Sequence, residues 1–264
     1  VGASSIVIDT PDGRIVFSGD IRFNREDSDT RKWMREVMGC DYLIMESTGF
    51  FEDQDYDESE VLVENIDTRQ LFDGILDLDY ELFIFNVYHR DINRLKYLVN
   101  VAREKGMPIV FEKSTARLIE NYLTTEEKEN VYYYDTRSQN TPRTIQKIGF
   151  DELNGEDGVR FKGFVQNSFT NIAVLRKFNL ESACYLHLNG MPLGPFDPNY
   201  EVLMNWLDFY ALKIVHKGTS GHAEAGQLKH ILREINPKVY TAVHGFNPHR
   251  LSGENHFKPE YGVR

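Results

Sequence analysis

Thiols are scarce: Cys40 and Cys184 are the only cysteines in 264 residues. They lie far apart and form no ligand pattern, which excludes a disulfide scaffold and a thiolate zinc site and fits a reducing, cytoplasmic home. Positive charge is also short. Thirty Lys and Arg face 41 Asp and Glu, a net charge of -11, so general attraction to a phosphate backbone is excluded and only a local basic groove remains compatible with it. No apolar run approaches the ~20 residues that span a bilayer. There is no P-loop, dinucleotide fingerprint, nucleophile elbow, internal repeat or low-complexity tract. Signal and transit segments are missing as well. The chain begins at Val1 in what reads as the middle of a domain, and an N-terminal part of the parent protein is expected to lie outside it.

What remains is a globular composition, 41% hydrophobic and 27% charged, long enough for one large domain or two of ordinary size. Ala3 to Asp9 and Arg14 to Ser18 flank a Pro11-Asp-Gly turn, a hairpin signal. Asp27 to Met38 reads as a helix, and Asp41 to Met45 as a buried strand ending in Glu46-Ser-Thr-Gly49. The stretch 51–60 is crowded with Asp and Glu, has no apolar period, and reads as an exit from one domain to another.

Leu82 to Asn86, Asp91 to Lys105 and Met107 to Phe111 follow as strand, helix and strand, which predicts a βαβ unit with a parallel pair. Ser114 to Leu123 continues with a helix and Val131 to Tyr134 with a strand. Between Thr136 and Phe169 the signal weakens to short strands and loops. Ala183 to His187, Tyr200 to Tyr210 and Leu212 to Val215 then restore the alternation. Leu228, Ile231, Leu232 and Ile235 fall at helical spacing, Asn236-Pro237 stops that helix, and Val239 to Val243 reads as a strand. The residues after His244 read as a polar, irregular tail.

Chemistry-bearing residues gather where strands end, the edge at which open α/β sheets bind ligands. Asp20 follows a strand and a glycine, so its two oxygens can bridge two divalent cations, or the pair is only a turn. Glu46 repeats the pattern, with Ser47 and Thr48 as the ordinary capping alternative. His89 and Arg90 stand between a strand and a helix start, where an anion is favoured, although a surface His-Arg pair reads equally well. Ser220 and Gly221 bring a hydroxyl and backbone N–H groups near any ligand. His222, beside them, can give a proton to a leaving oxygen. His244 can ligate a metal, or both histidines are structural. His187, His216, His230, His249 and His256 have no partner at ligand spacing.

The order Gly2-Ala-Ser-Ser, Phe17-Ser-Gly-Asp20, Met45-Glu-Ser-Thr48, a long insertion, Ser220-Gly-His-Ala223 and Val243-His-Gly245 resembles the β-CASP branch of the metallo-β-lactamase superfamily. That branch holds ribonuclease J and the endonucleases that cleave messenger RNA 3′ ends. The resemblance implies an α/β chain with a partial metallo-β-lactamase fold and an inserted Rossmann-like β-CASP domain. Residues 1–50 would be the first part of the metallo-β-lactamase domain, 51–219 the insertion and 220–264 the C-terminal part. It implies a zinc-dependent ribonuclease that cleaves RNA, single-stranded by preference, with a metal-bound hydroxide. Asp20 and His244 would be metal ligands, Glu46 and His222 catalytic, and Ser220, Gly221, His89 and Arg90 substrate-binding. Arg90, Arg94, Lys96, Arg103 and Lys113 would supply the basic groove.

Two features depart from the family's pattern. Its His-x-His-x-Asp-His cluster does not occur in this chain, so two zinc sites cannot close and the chain alone is expected to be inactive. Leu188-Asn-Gly-Met and Gly245-Phe-Asn-Pro replace the expected serine-rich and His-Gly-Glu stretches. The resemblance leaves two other readings open: a non-catalytic β-CASP scaffold or binding subunit, and a hydrolase of small esters or phosphoesters. A homo-oligomer is compatible with each.

Overall fold

Alternating apolar strands and amphipathic helices produce two separate α/β layers. The computed structural model describes residues 4–22, 28–50, 72, 74–155, 160–218, 221–251 and 253–258. The chain divides into two compact units, one of Thr68–Thr219 with Val1, the other of Gly2–Asp67 and Ser220–Arg264. The acidic stretch 51–60 lies outside the described residues. Among those residues no helix is long and apolar enough to cross a membrane.

The split unit is built on a four-stranded sheet, ordered β1 (Ile6–Thr10), β2 (Gly13–Phe17), β3 (Tyr42–Glu46) and β11 (Val239–Val243). The Asp-Gly turn makes β1 and β2 antiparallel, and β2, β3 and β11 then run parallel. Helices α1 (Ser28–Val37) and α7 (Ala225–Ile235) belong to this unit. Met34 and Val37 of α1 and Leu228, Ile231 and Ile235 of α7 pack with Val16, Leu43, Met45 and Tyr240 in one core. The spacing of the apolar residues in α7 dictates this burial. Asn236, in the left-handed conformation, caps the helix. Ile6, Ile8, Phe17 and Tyr42 are exposed. The segment after His244 is not wholly a loose tail: Leu251 is buried, and Asn255 and Phe257 exchange backbone hydrogen bonds with Tyr240.

The continuous unit carries a parallel seven-stranded sheet in the order β10 (Lys213–His216), β9 (Ala183–Leu188), β4 (Leu82–Val87), β8 (Gly163–Gln166), β5 (Ile109–Glu112), β6 (Val131–Tyr134) and β7 (Gln146–Lys147). Its helices are α2 (Ile92–Glu104), α3 (Lys113–Ile119), α4 (Thr125–Lys128), α5 (Phe150–Asn154) and α6 (Asn199–Phe209), with a 3-10 stretch at Phe169–Lys177. Leu95, Leu98 and Ala116 share a core with Phe83, Phe85 and Phe111; Leu175, Leu203 and Leu207 share another with Leu82, Ile84 and Tyr185. Strands covered on both faces read as largely apolar runs without alternation, as β4 and β9 do apart from Asn86 and His187.

The pairing expected between β4 and β5 is corrected. β8 lies between them, with Phe83 opposite Phe164 and Ile109 opposite the same Phe164. At four residues inside a stretch rich in glycine and charge, β8 is too short to show a period. The helix expected from Ser114 to Leu123 is also shorter, because Thr124 starts α4 with a capping box to Glu127.

At the end of β5, Glu112 is 4% exposed. Its carboxylate accepts from the Ser168 N–H, the Ser168 hydroxyl at 2.9 Å and the Asn171 amide at 2.8 Å. Burial raises its pKa, against the pull of those donors. Glu112→Ala strands these donors in the interior and is expected to lower unfolding free energy by about 2–4 kcal/mol in urea titration. A change below about 0.5 kcal/mol would contradict this account of the loop.

Candidate metal centre

Parallel strands β2, β3 and β11 end at the same edge of their sheet, so the residues that follow them become neighbours. After β2 the chain turns at Gly19, with φ +63°, where a Cβ would stand 2.3 Å from the Ser4 carbonyl oxygen. Only glycine fits that position. Asp20 follows, with 55% of its side chain exposed. Glu46 ends β3 and is followed by Ser47 and Thr48, and after β11 comes His244. The fourth contribution is His222, from the loop that leads into α7. That loop is tied to the β2 exit by the Ala223 N–H, which donates to the Ile21 carbonyl at 2.6 Å.

Glu46 is 2% exposed and both its oxygens are engaged. One accepts the Ile21 N–H, the residue next to Asp20, and the other lies 2.9 Å from His222 Nδ1. The Glu46 N–H in turn donates to Ser18 Oγ at 3.1 Å. The carboxylate holds His222 Nδ1 as a donor, so the ring presents Nε2 away from Glu46. This hydrogen bond raises the His222 pKa above the ordinary histidine value, against partial burial, with further attraction from the charges of Glu46 and Asp20. Glu46 therefore acts on another side chain. That side chain is His222, whose ring the carboxylate orients.

His244 Nε2 lies 3.6 Å from Asp20 Oδ1, and the His222 and His244 rings have centroids 5.8 Å apart. Asp20, His222 and His244 each bring one donor atom to within 4.8 Å of the others. The set is chemically apt for a divalent ion: two imidazoles and a carboxylate, one imidazole backed by a second carboxylate in the manner of metal-bound histidines. An ion about 2.0–2.2 Å from each donor would draw them slightly inward. Asp20 and His244, with 55% and 60% of their side chains exposed, have room to rotate. The sequence had assigned only Asp20 and His244 to metal; the fold brings His222 into the same cluster.

The remaining site residues are placed differently. Gly221 is exposed beside His222, and Ser220 lies outside the described residues. His89 and Arg90 belong to the other unit, in the turn between β4 and α2. Four of the cations expected to supply a basic groove have carboxylate neighbours. Arg94 is 3% exposed and directed to Asp91 and the Leu188 carbonyl, while Lys96, Arg103 and Lys113 stand beside Glu127, Glu126 and Asp135. A carboxylate beside each of these four cations weakens the field a phosphate would feel. His187 is buried with Nε2 2.8 Å from the Pro192 carbonyl, consistent with a structural histidine.

Sequence reasoning gave Ser47 and Thr48 a capping alternative, and among the described residues neither caps a helix. Ser47 Oγ donates to the Val243 carbonyl at 2.8 Å and Thr48 Oγ1 to the His244 carbonyl at 2.9 Å. Ser18 had no assigned role. Two hydroxyls directly after a strand-end carboxylate were the available signal, but their partners are almost two hundred residues away, at separation 196.

In the metal-free protein, His222 is expected to titrate above the usual ~6.5, and Glu46→Gln to bring it down, by NMR of the ring protons. A raised histidine pKa stabilises the fold fully below that unfolded value, and the contribution fades as pH rises through the folded one. Glu46→Gln should therefore cost more stability near pH 6 than near pH 9. An unchanged titration in the variant would remove the Glu46 bond as the cause.

No protein-family model matches the chain, and no curated protein does. Among solved structures, it is similar to a protein of unknown function from Enterococcus faecalis V583, with TM-score 0.77 and 24% identity. The match covers 99% of this chain and 60% of that one, so the chain spans about three fifths of its neighbour's length. At this identity the likeness concerns the fold: mixed α/β, with parallel sheets and helices.

Proposed function

We infer that the chain forms part of a metal-dependent phosphodiesterase of the β-CASP, metallo-β-lactamase type, with RNA as substrate. The observation that carries this reading is the convergence of Asp20, His222 and His244 at one sheet edge, with Glu46 behind His222. The insertion of one α/β unit into the sequence of another supports it. A divalent ion, zinc by the donor set, would polarise the phosphoryl group and activate a water. Asp20 and His244 would hold the ion. His222, its pKa raised by the hydrogen bond to Glu46, would face the leaving oxygen as proton donor. With His222 in that role two donors remain, and completing the coordination of an ion requires further ligands.

One observation favours a second reading, a hydrolase of small phosphoesters on the same centre. Four of the five cations proposed for a nucleic-acid groove lie beside carboxylates, and the net charge is -11. RNA binding that weakens steeply with salt supports the first reading, and salt-independent turnover of a small phosphodiester supports the second.

Elemental analysis and single-stranded RNA cleavage, on this chain and on a longer parent polypeptide, test both. Asp20→Ala should lose metal and activity together. His222→Ala should keep the metal and lose about 10²- to 10⁴-fold in rate. Loss of metal from His222→Ala would make it a ligand, and a metal-free parent would end the enzymatic reading.

A further inference from the structure

His244 is the least supported member of the centre by packing, since 60% of its side chain is exposed. It is also the most strained, with φ +54°. A residue with a Cβ in the left-handed region carries an energetic penalty and persists where its surroundings impose it. Nothing about an exposed imidazole does so. The constraint acts on the backbone on either side of it.

β11 runs parallel beside β3, with Val243 opposite Glu46. Beyond this pair the ladder ends, and the Val243 and His244 carbonyls need other donors. Ser47 Oγ and Thr48 Oγ1 supply them at 2.8 and 2.9 Å. Gly245 completes the contact: a Cβ there would stand 2.4 Å from the Ser47 carbonyl oxygen, so only glycine lets the chain lie this close.

We propose that Ser47 and Thr48 are positioning residues that latch the His244 backbone in its left-handed conformation, and thereby set how tightly the centre takes a divalent ion. The three consecutive residues Glu46, Ser47 and Thr48 then hold the whole donor set. Glu46 fixes His222 through its ring and Asp20 through the neighbouring Ile21 N–H, while the two hydroxyls fix His244 through its backbone. The proposal rests on the metal reading above only for its effect on affinity; the effect on ring position stands without metal.

The test compares Thr48→Val, Ser47→Ala and Thr48→Ser in the 264-residue chain. In metal-free protein, the proton NOE between the His222 and His244 rings should weaken in Thr48→Val and Ser47→Ala and persist in Thr48→Ser. Titration with cobalt(II) should show affinity falling about 10- to 100-fold in the first two variants, the usual scale for outer-shell partners. The visible cobalt spectrum should change with it, and Thr48→Ser should restore both. Should either hydroxyl variant fail to fold, Gly245→Ala is expected to displace the same ring by crowding Ser47. An intact ring contact in the hydroxyl variants overturns the proposal whatever the affinity does, and so does unchanged affinity where cobalt binds. If the unmodified chain takes up no cobalt, the metal reading fails, and the NOE comparison alone decides the latch.

Discussion

A carboxylate that leaves water must find donors for both of its oxygens, and Glu46 finds them in two different segments of the chain. Its N–H meets the Ser18 hydroxyl, one oxygen meets the backbone beside Asp20, and the other meets His222. These partners satisfy both oxygens of a side chain that has left water. The geometry of the donor cluster is therefore a consequence of satisfying one buried group. Displacing either of the two partner loops would leave Glu46 desolvated and short of a partner.

The other unit shows the same device with a different outcome. Glu112 also ends a parallel strand, and it also collects a backbone N–H and side-chain donors from a distant loop. All of its partners are amides and hydroxyls, which do not titrate near neutral pH, and the arrangement serves the fold. Glu46 instead spends one oxygen on an imidazole whose ring is a quarter exposed at 25%. A buried carboxylate aimed at a partly exposed histidine controls protonation and orientation at a place ligands can reach. That difference separates a carboxylate whose partners do not titrate near neutral pH from one that meets an imidazole.

Charge distribution narrows what such a centre can serve. Four of the five cations that sequence alone suggested for a groove lie beside Asp91, Glu127, Glu126 and Asp135. Long-range attraction of a polyanion would have to come from elsewhere, since a net charge of -11 opposes it. A metal ion is insensitive to that obstacle, because Asp20 and the surrounding negative field favour it.

Residue spacing alone determined most of the elements. The Asp-Gly turn made the hairpin, the period of Leu228, Ile231 and Ile235 made α7, and largely apolar runs made β4 and β9, because each signal acts over a few neighbouring residues. Asp20, Glu46, His222 and His244 were legible as strand-end or loop residues for the same reason. Tertiary structure alone decided that β8 enters the middle of its sheet, since four residues carry no period and the position comes from pairing on both sides. It also decided which cations are paired, and that Ser47 and Thr48 bond to Val243 and His244 rather than cap a helix. Those facts depend on groups far apart in sequence, and only the packing of parallel strands edge to edge brings them within hydrogen-bonding distance.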